Sequence, residues 1–187
     1  MSCSSSSRCK GSGNFGIGKH TCCGTSSGGG GGESDPFHFA YATYDNGEDT
    51  VPVPNGSPFP FDGVSYPNLG ITPPPFLGNT DFLIDETGVY QYDFRVLGFL
   101  SEATPLPVPP PIVVALFQNA TQVVGSVFAS DVQAIAFNQF TYTVSGHGTT
   151  SLNAGDLVSL RNVGGNTVFV SGDANGVSLR LEQIARD

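Results

Sequence analysis

The chain has 187 residues, a length that suits one globular domain with an additional segment. Only 12% of the residues are charged, about half the roughly 25% of a usual soluble domain, and the net charge is −9. An acidic chain repels nucleic acid phosphates and anionic membranes, so we expect neither as a partner. No run approaches the roughly 18 consecutive apolar residues of a membrane-spanning helix.

Residues 1–34 are rich in Gly and Ser and predict a flexible N-terminal arm. The arm holds ten of the 25 glycines and a net charge of +2, which leaves −11 for residues 35–187. This difference could draw the arm to the acidic domain of another copy, although cations that only keep the arm soluble explain it equally well. The N-terminus lacks the apolar stretch of a secretory signal, so we expect synthesis in the cytosol without a classical signal peptide.

All four cysteines lie in the arm, at Cys3, Cys9, Cys22 and Cys23. A disulfide that stabilises a domain joins two segments of that domain, and none of these is placed to do so. We interpret them as candidates for intermolecular disulfides, formed late because the cytosol keeps thiols reduced. Zinc bound by these cysteines with His20 is the second interpretation, although the spacings differ from the usual Cys-x2-4-Cys pairs, and idle reduced thiols are the third.

Two isolated apolar residues of the arm, Phe15 and Ile17, stand between glycines. We interpret them as anchors for an apolar groove of a neighbouring copy, with chance as the alternative. Residues 13–19 also have the spacing of a phosphate-binding loop up to its lysine. His20 follows where that motif needs Ser or Thr, so we expect no nucleotide there. We predict no cofactor and no resident metal.

From residue 35 onward, short runs of alternating apolar and polar residues predict an antiparallel all-β domain over residues 35–187. The predicted strands cover 37–44, 64–66, 81–84, 89–99, 112–117, 122–128, 134–144, 150–152, 157–162, 167–171 and 177–184. Such spacing indicates a sandwich or jelly roll. The proline-rich stretches 73–75 and 105–111 are expected to be loops or edges. Ser130 and Gln133 resemble a helix capping box, so one helical turn is the alternative to a strand there.

The polar residues of the domain show no nucleophile beside a base, so we predict no catalytic residue and no enzyme. His38 alternates with aromatic residues in the first strand, and His147 lies in a predicted glycine turn at 146–148. Asn119 begins a glycosylation sequon, but we interpret this segment first as a hairpin turn.

Two groups of carboxylates are candidate calcium ligands. They are Asp45, Glu48 and Asp49 in one group, and Asp81, Asp85 and Glu86 in the other. Acidic residues in loops are more often simply solvated, so calcium remains a minor option.

Three segments carry a resemblance to a known superfamily. Residues 82–92, 152–160 and 176–181 resemble, in the same order, recurrent stretches of the complement-q and tumour-necrosis-factor jelly-roll superfamily. Within it, the chain is most similar to the C-terminal domain of collagen-tailed spore-surface (exosporium) glycoproteins and to related subunits of spore appendage filaments. The chain departs from these glycoproteins in having no Gly-X-Y stalk, so its arm cannot wind a collagen triple helix.

The resemblance implies an all-β, TNF-like jelly roll that trimerises about a threefold axis. Tyr90, Tyr92, Phe94 and Val96 alternate onto one face and are the candidates for the trimer core, while filling of the domain's own core is the alternative. We interpret the chain as a structural subunit on a bacterial spore surface, whose trimers join head to tail into a filament, or onto an underlying layer, through the arm. The expected partners are other copies and other spore-surface proteins. A trimeric adhesin, or a tip module that binds a glycan or receptor, is the alternative function.

Overall fold

The structure is a computed structural model that describes residues 38–44, 50–62, 70–74, 80–100, 111–135, 139–172 and 176–186. It consists mainly of β-strands. Its strands are β1 (Phe39–Tyr44), β2 (Val51–Val53), β3 (Ile71–Thr72), β4 (Asp81–Ile84), β5 (Gly88–Leu100), β6 (Val113–Gln118), β7 (Thr121–Ala129), β8 (Asp131–Ile135), β9 (Gln139–Leu152), β10 (Leu157–Asn162), β11 (Val168–Val170) and β12 (Val177–Arg186). Within these ranges there is no helix, and β8 occupies the segment where a helical turn was the alternative.

The strands form two antiparallel sheets that pack as a sandwich. Sheet A has seven strands, with β1, β12, β5, β11 and β2 along one path and β9 and β8 on the other side of β5. Sheet B has five strands in the order β3, β4, β10, β6, β7. The predicted all-β jelly roll is confirmed.

One apolar core lies between the sheets, and the alternation of strand residues explains it. In β5 every second residue from Tyr90 to Val96 is at most 2% exposed, while the residues between them face outward. Sheet B contributes buried residues such as Phe82, Leu116 and Leu160. The core residues of the described part of the chain all lie between Ala40 and Leu181.

The sandwich has two distinct ends. The lower end carries the turns at 85–87, 119–120 and 153–156, together with the start of β1 and the end of β12. The upper end carries the end of β5 and its pairing with β11, which in turn pairs with β2. The chain therefore enters and leaves the described domain at the lower end.

Strand β9 corrects the sequence prediction of two strands separated by a glycine turn. It runs without interruption from Gln139 to Leu152 and pairs with β5 through His147. A Cβ on Gly146 would lie 2.6 Å from the rings of Phe94 and Phe128, and one on Gly148 would lie 2.6 Å from Cζ of Tyr92. These glycines make room for aromatic rings under a straight strand and do not form a turn.

Two short strands were not predicted. β3 has two residues, and β2 has three and contains Pro52, so neither shows an alternating pattern. β2 lies at the edge of sheet A, where a proline is tolerated because no partner needs its missing N–H. The predicted strand at 64–66 and the proline-rich residues 105–110 lie outside the described residues.

Candidate assembly surfaces

The predicted sites of the arm lie outside the described residues. They are Cys3, Cys9, Cys22, Cys23, Phe15, Ile17 and His20. Their proposed roles, and the division of the chain at residue 34, stay predictions.

The four trimer-core candidates on β5 lie inside the single chain. Tyr90 and Val96 are 0% exposed, Phe94 1% and Tyr92 2%. The Tyr90 hydroxyl donates to the Glu86 carbonyl at 2.7 Å, and burial, reinforced by the nearby carboxylates, raises the Tyr90 pKa to about 12. The structure thus supports the alternative that these side chains fill the core of the domain.

The outer face of sheet A carries a row of polar and charged side chains, of which only His147 stands out in the sequence. In register across four strands lie Tyr41 of β1, Arg180 of β12, Asp93 of β5 and His147 of β9. The last three are exposed, and Arg180 also pairs with the Glu182 carboxylate at 2.7 Å. This part of the outer face therefore exposes charges of both signs.

One side of the sandwich has an incomplete edge. β9 pairs with β8 only up to Thr143, and from Val144 to Leu152 its second side pairs with no strand among the described residues. β7 likewise pairs with β6 alone in the part of the chain that the structure describes. Phe128 of β7 packs edge-on against Phe94, next to Gly146 of β9. The two unpaired strand edges therefore lie on the same side, and we call β7 with residues 144–152 the open edge.

The open edge also exposes apolar side chains. Val124 is 96% exposed and Val127 48%. Gly125 between them has φ +79°, and the pairing of β7 with β6 shifts register nearby, so both valines face outward although they are three residues apart. A long edge strand with exposed valines is an uncommon surface for a monomer.

At the upper end the outer face of sheet A becomes apolar. Pro52, Phe169 and Phe99 lie side by side in register on β2, β11 and β5. The two phenylalanine rings are stacked, with centroids 5.7 Å apart and 16° between their planes. Both are partly exposed, as is Leu97, the neighbouring outward residue of β5, and Pro52 is exposed. We call these four residues the aromatic row.

At the lower end, His38 marks the point where the chain enters the described domain. It is 4% exposed, and its Nε2 lies 3.1 Å from the Glu86 carboxylate and 3.1 Å from the Arg186 guanidinium. Gly70, with φ +102°, lies against the imidazole, and a Cβ there would be 2.5 Å from its Cγ. His38 is thus held firmly in the fold at the root of the arm.

Asp156 ties together two turns of the lower end. Its carboxylate accepts hydrogen bonds from the side chains of Gln118 at 2.5 Å and Asn119 at 2.8 Å, and from the backbone N–H of Asn153 at 2.7 Å. Burial works to raise the Asp156 pKa, but these hydrogen bonds outweigh burial and hold the pKa below its ordinary value.

The glycosylation sequon lies in this network. Asn119 has φ +56° in the turn between β6 and β7, as the hairpin interpretation predicted. Its Nδ2 donates to Asp156 and its Oδ1 accepts from the Leu157 N–H at 3.0 Å. The nitrogen that would carry a glycan is therefore used by the fold.

The carboxylates weighed for calcium are either bonded elsewhere or outside the described residues. Asp81 accepts from the Thr80 hydroxyl and Asp85 from the Thr72 hydroxyl. Among the described residues no three His, Cys, Asp or Glu side chains cluster as metal ligands, while residues 45–49 lie outside them. The described part of the chain also contains no helix long and apolar enough to cross a bilayer.

No protein-family model and no curated protein sequence matches the chain, but solved structures match it over most of its length. Eiger TNF from S. frugiperda superposes with a TM-score of 0.59 at 18% identity, covering 82% of this chain and 96% of its own. Murine APRIL superposes at 0.55 with 11% identity, covering 79% and 99%. The globular domain of zebrafish complement 1qA superposes at 0.50 with 14% identity, covering 82% and 100%. The chain therefore has the jelly-roll fold of TNF and complement 1q domains.

Proposed function

We propose that this protein is a non-catalytic structural subunit of a bacterial spore surface, exosporium or appendage. In this proposal three copies form a trimer, and trimers join head to tail into a filament, or onto an underlying layer, through the cysteine-bearing arm. The observation that carries the proposal is the open edge, a surface that calls for a neighbour in a domain whose cysteines all lie outside it.

The open edge favours a closed ring of copies. One copy presents an unpaired edge with exposed valines, and a different surface of the next copy covers it. Such a contact is heterologous, and it closes into a ring when its rotation is a simple fraction of a turn. The TNF and complement-q resemblance supports three copies. A low share of charged residues, 12%, agrees with a domain whose surface is partly covered in the assembly.

The arm supplies the second kind of contact. Its anchors, Phe15 and Ile17, dock first, and Cys3, Cys9, Cys22 and Cys23 then form disulfides between copies. Two buried apolar side chains stabilise each contact by about 1.5 to 3 kcal/mol apiece, against the entropy of ordering the arm. Three arms that engage together gain from their high effective concentration. A spore-surface location is supported by the resemblance of the three sequence segments, and other spore-surface proteins are proposed as further partners.

Negative-stain microscopy of the purified full chain, with and without reductant, tests this function. We expect filaments, and on non-reducing gels a ladder of covalent multimers that collapses with thiol reagent. Discrete particles in both conditions, with no ladder, would contradict the proposal. If a chelator dissolves the assembly and reductant leaves it intact, zinc holds the arms together and disulfides do not.

A trimeric adhesin or glycan-binding tip is the second candidate. The outward side of β9 carries a series of hydroxyl groups that could hydrogen-bond a sugar, and these are Thr141, Thr143, Ser145, Thr149 and Ser151. A glycan array separates the two candidates. Discrete trimers that bind one glycan class favour the adhesin, while filaments without glycan binding favour the structural subunit.

A further inference from the structure

We propose that the aromatic row is the surface that receives the arm of another copy. Phe15 and Ile17 of the incoming arm cover the stacked rings and Leu97. The inference rests on the proposed function, and it adds to that function the place where the arm binds.

The aromatic row is an apolar surface on the outside of the core. Val168 and Val170 are both 0% exposed and belong to the core, so Phe169 between them must face outward. Phe169 stacks on Phe99 of the neighbouring strand and leaves part of both rings uncovered. Pro52 ends the row on an edge strand. No described strand pairs with the far side of β2, and an incoming chain can approach the row from there.

The spacing of the anchors matches the spacing of the row. In an extended chain, residues two apart project to the same side and are separated by about 6.5 to 7 Å. Phe15 and Ile17 are two apart, and so are Leu97 and Phe99 on β5. Gly16 between the anchors lets the incoming backbone approach the rings closely. An extended arm therefore presents both anchors to the row at once.

The position of the row suits a head-to-tail contact. The His38 carbonyl accepts a hydrogen bond from the Gln183 N–H, and Gln183 is the register partner of Tyr90 on β5. Tyr90 lies nine residues before Phe99 on that strand, so the root of the arm is about 30 Å from the row. In a head-to-tail stack the lower end of one copy meets the upper end of the next. The 21 residue steps from Ile17 to His38 span at most about 70 Å, enough to reach the next row.

Charge supports the same partner. The arm carries +2, and residues 35–187 carry −11, which together give the net −9 of the chain. Opposite net charges raise the rate at which an arm encounters the domain of another copy. Neither the row nor the two anchors contains a charge, so the contact itself buries no unpaired ion.

The test uses the full chain under reducing conditions, where disulfides cannot hold the assembly. Three variants are compared by sedimentation velocity: Phe15→Ser with Ile17→Ser, Phe99→Ser with Phe169→Ser, and the control Phe117→Ser. Phe117 is a partly exposed phenylalanine of sheet B, stacked under the Arg161 guanidinium. We expect both double variants to sediment as trimers and the control to assemble as the wild type does.

A peptide of residues 11–20 measures the contact directly. The peptide is added to the full-length Phe15→Ser, Ile17→Ser chain, whose aromatic rows are not occupied by the anchors of other copies. We expect saturable binding of the labelled peptide by fluorescence anisotropy, weakened at least about tenfold when Phe99→Ser and Phe169→Ser are added. Pro52→Glu, a substitution at the exposed end of the row, should weaken peptide binding as well. It replaces the double variant in this test if the double variant does not fold.

The outcomes separate this inference from the proposed function. If the anchor variant loses assembly while the row variants assemble and bind the peptide normally, the arm couples copies elsewhere and the aromatic row is wrong. If the anchor variant also assembles normally, Phe15 and Ile17 do not join the copies, and that part of the proposed function is wrong as well. Binding of the peptide that survives both the double variant and Pro52→Glu overturns the inference.

Discussion

At the scale of single residues, the outward position of His147 is set by its neighbours. Gly146 and Gly148 leave space for the rings of Phe94 and Tyr92 below the strand, so β9 continues straight and His147 reaches the outer face. From the sequence, Gly-His-Gly predicted a turn, because the partners that require small residues lie about 50 positions earlier in the chain. No local pattern reveals a contact of that kind.

Substitution of Gly146 by Ala tests this packing. The added Cβ would lie 2.6 Å from two rings, so we expect the free energy of unfolding to fall by about 1 to 3 kcal/mol. Urea denaturation of residues 35–187 measures it. Ser145→Ala, on the exposed side of the same strand, is the control and should change stability by less than about 0.5 kcal/mol. A Gly146→Ala domain as stable as the control would contradict the packing argument.

Substitution of Asp156 by Asn tests the network at the lower end. The amide places an N–H₂ group where the carboxylate accepts from several donors, so we expect a loss of about 1 to 3 kcal/mol at pH 7. The Asp156 pKa is lowered on folding, so its contribution is present above the ordinary value of 3.8 and disappears as pH falls through the folded value.

The wild type and Asp156→Asn should therefore converge in stability in acid, as measured by denaturation at several pH values. Asp85→Asn is the matched control, because that carboxylate accepts a single described hydrogen bond, from the Thr72 hydroxyl at 3.0 Å. A difference that stays constant from pH 7 to well below pH 3.8 would show that the charge of Asp156 does not stabilise the fold.

At the scale of strands and turns, much of the fold could be predicted from the sequence. The period-two runs identified most of the described strands, because one face of each lies in the core. All three segments that carried the resemblance meet in space, since Leu181 of the third pairs with Tyr92 of the first. Residues 82–92 and 152–160 pair through β4 and β10, and the Ala154 N–H donates to the Thr87 hydroxyl.

The open edge could not be predicted from the same patterns. An unpaired strand edge depends on which strands are neighbours, and the sequence of β9 reads alike whether its second side is paired or free. Exposed Val124 and Val127 gave no signal either, because a valine in a strand is expected to be buried. The sequence therefore placed the trimer candidates on the buried side of β5.

Acidic residues substituted on the open edge should weaken the trimer. Val124→Asp with Val127→Asp places two charges on exposed positions, so the domain should fold as before while the trimer weakens at least about tenfold. Mass photometry across a dilution series of residues 35–187 measures this. Leu157→Asp, at an exposed apolar position on β10, is the control. If the double variant forms trimers of unchanged stability, the open edge is not part of the trimer interface.

At the scale of the whole molecule, the described core residues lie between Ala40 and Leu181, while every cysteine lies in the predicted arm. These features suit a division of labour in which the domain forms trimers and the arm joins them. Composition and charge predicted this division, because they differ sharply between residues 1–34 and the remainder. The surfaces that would make the contacts emerge only once the sheets bring distant residues such as Phe99 and Phe169 together.

We expect the domain to form a trimer without its arm. Light scattering after gel filtration of residues 35–187 tests it most directly, because this segment contains every described core residue and none of the cysteines. We expect a single species with three times the mass of one chain, unchanged by reductant. A species with the mass of one chain would contradict the account.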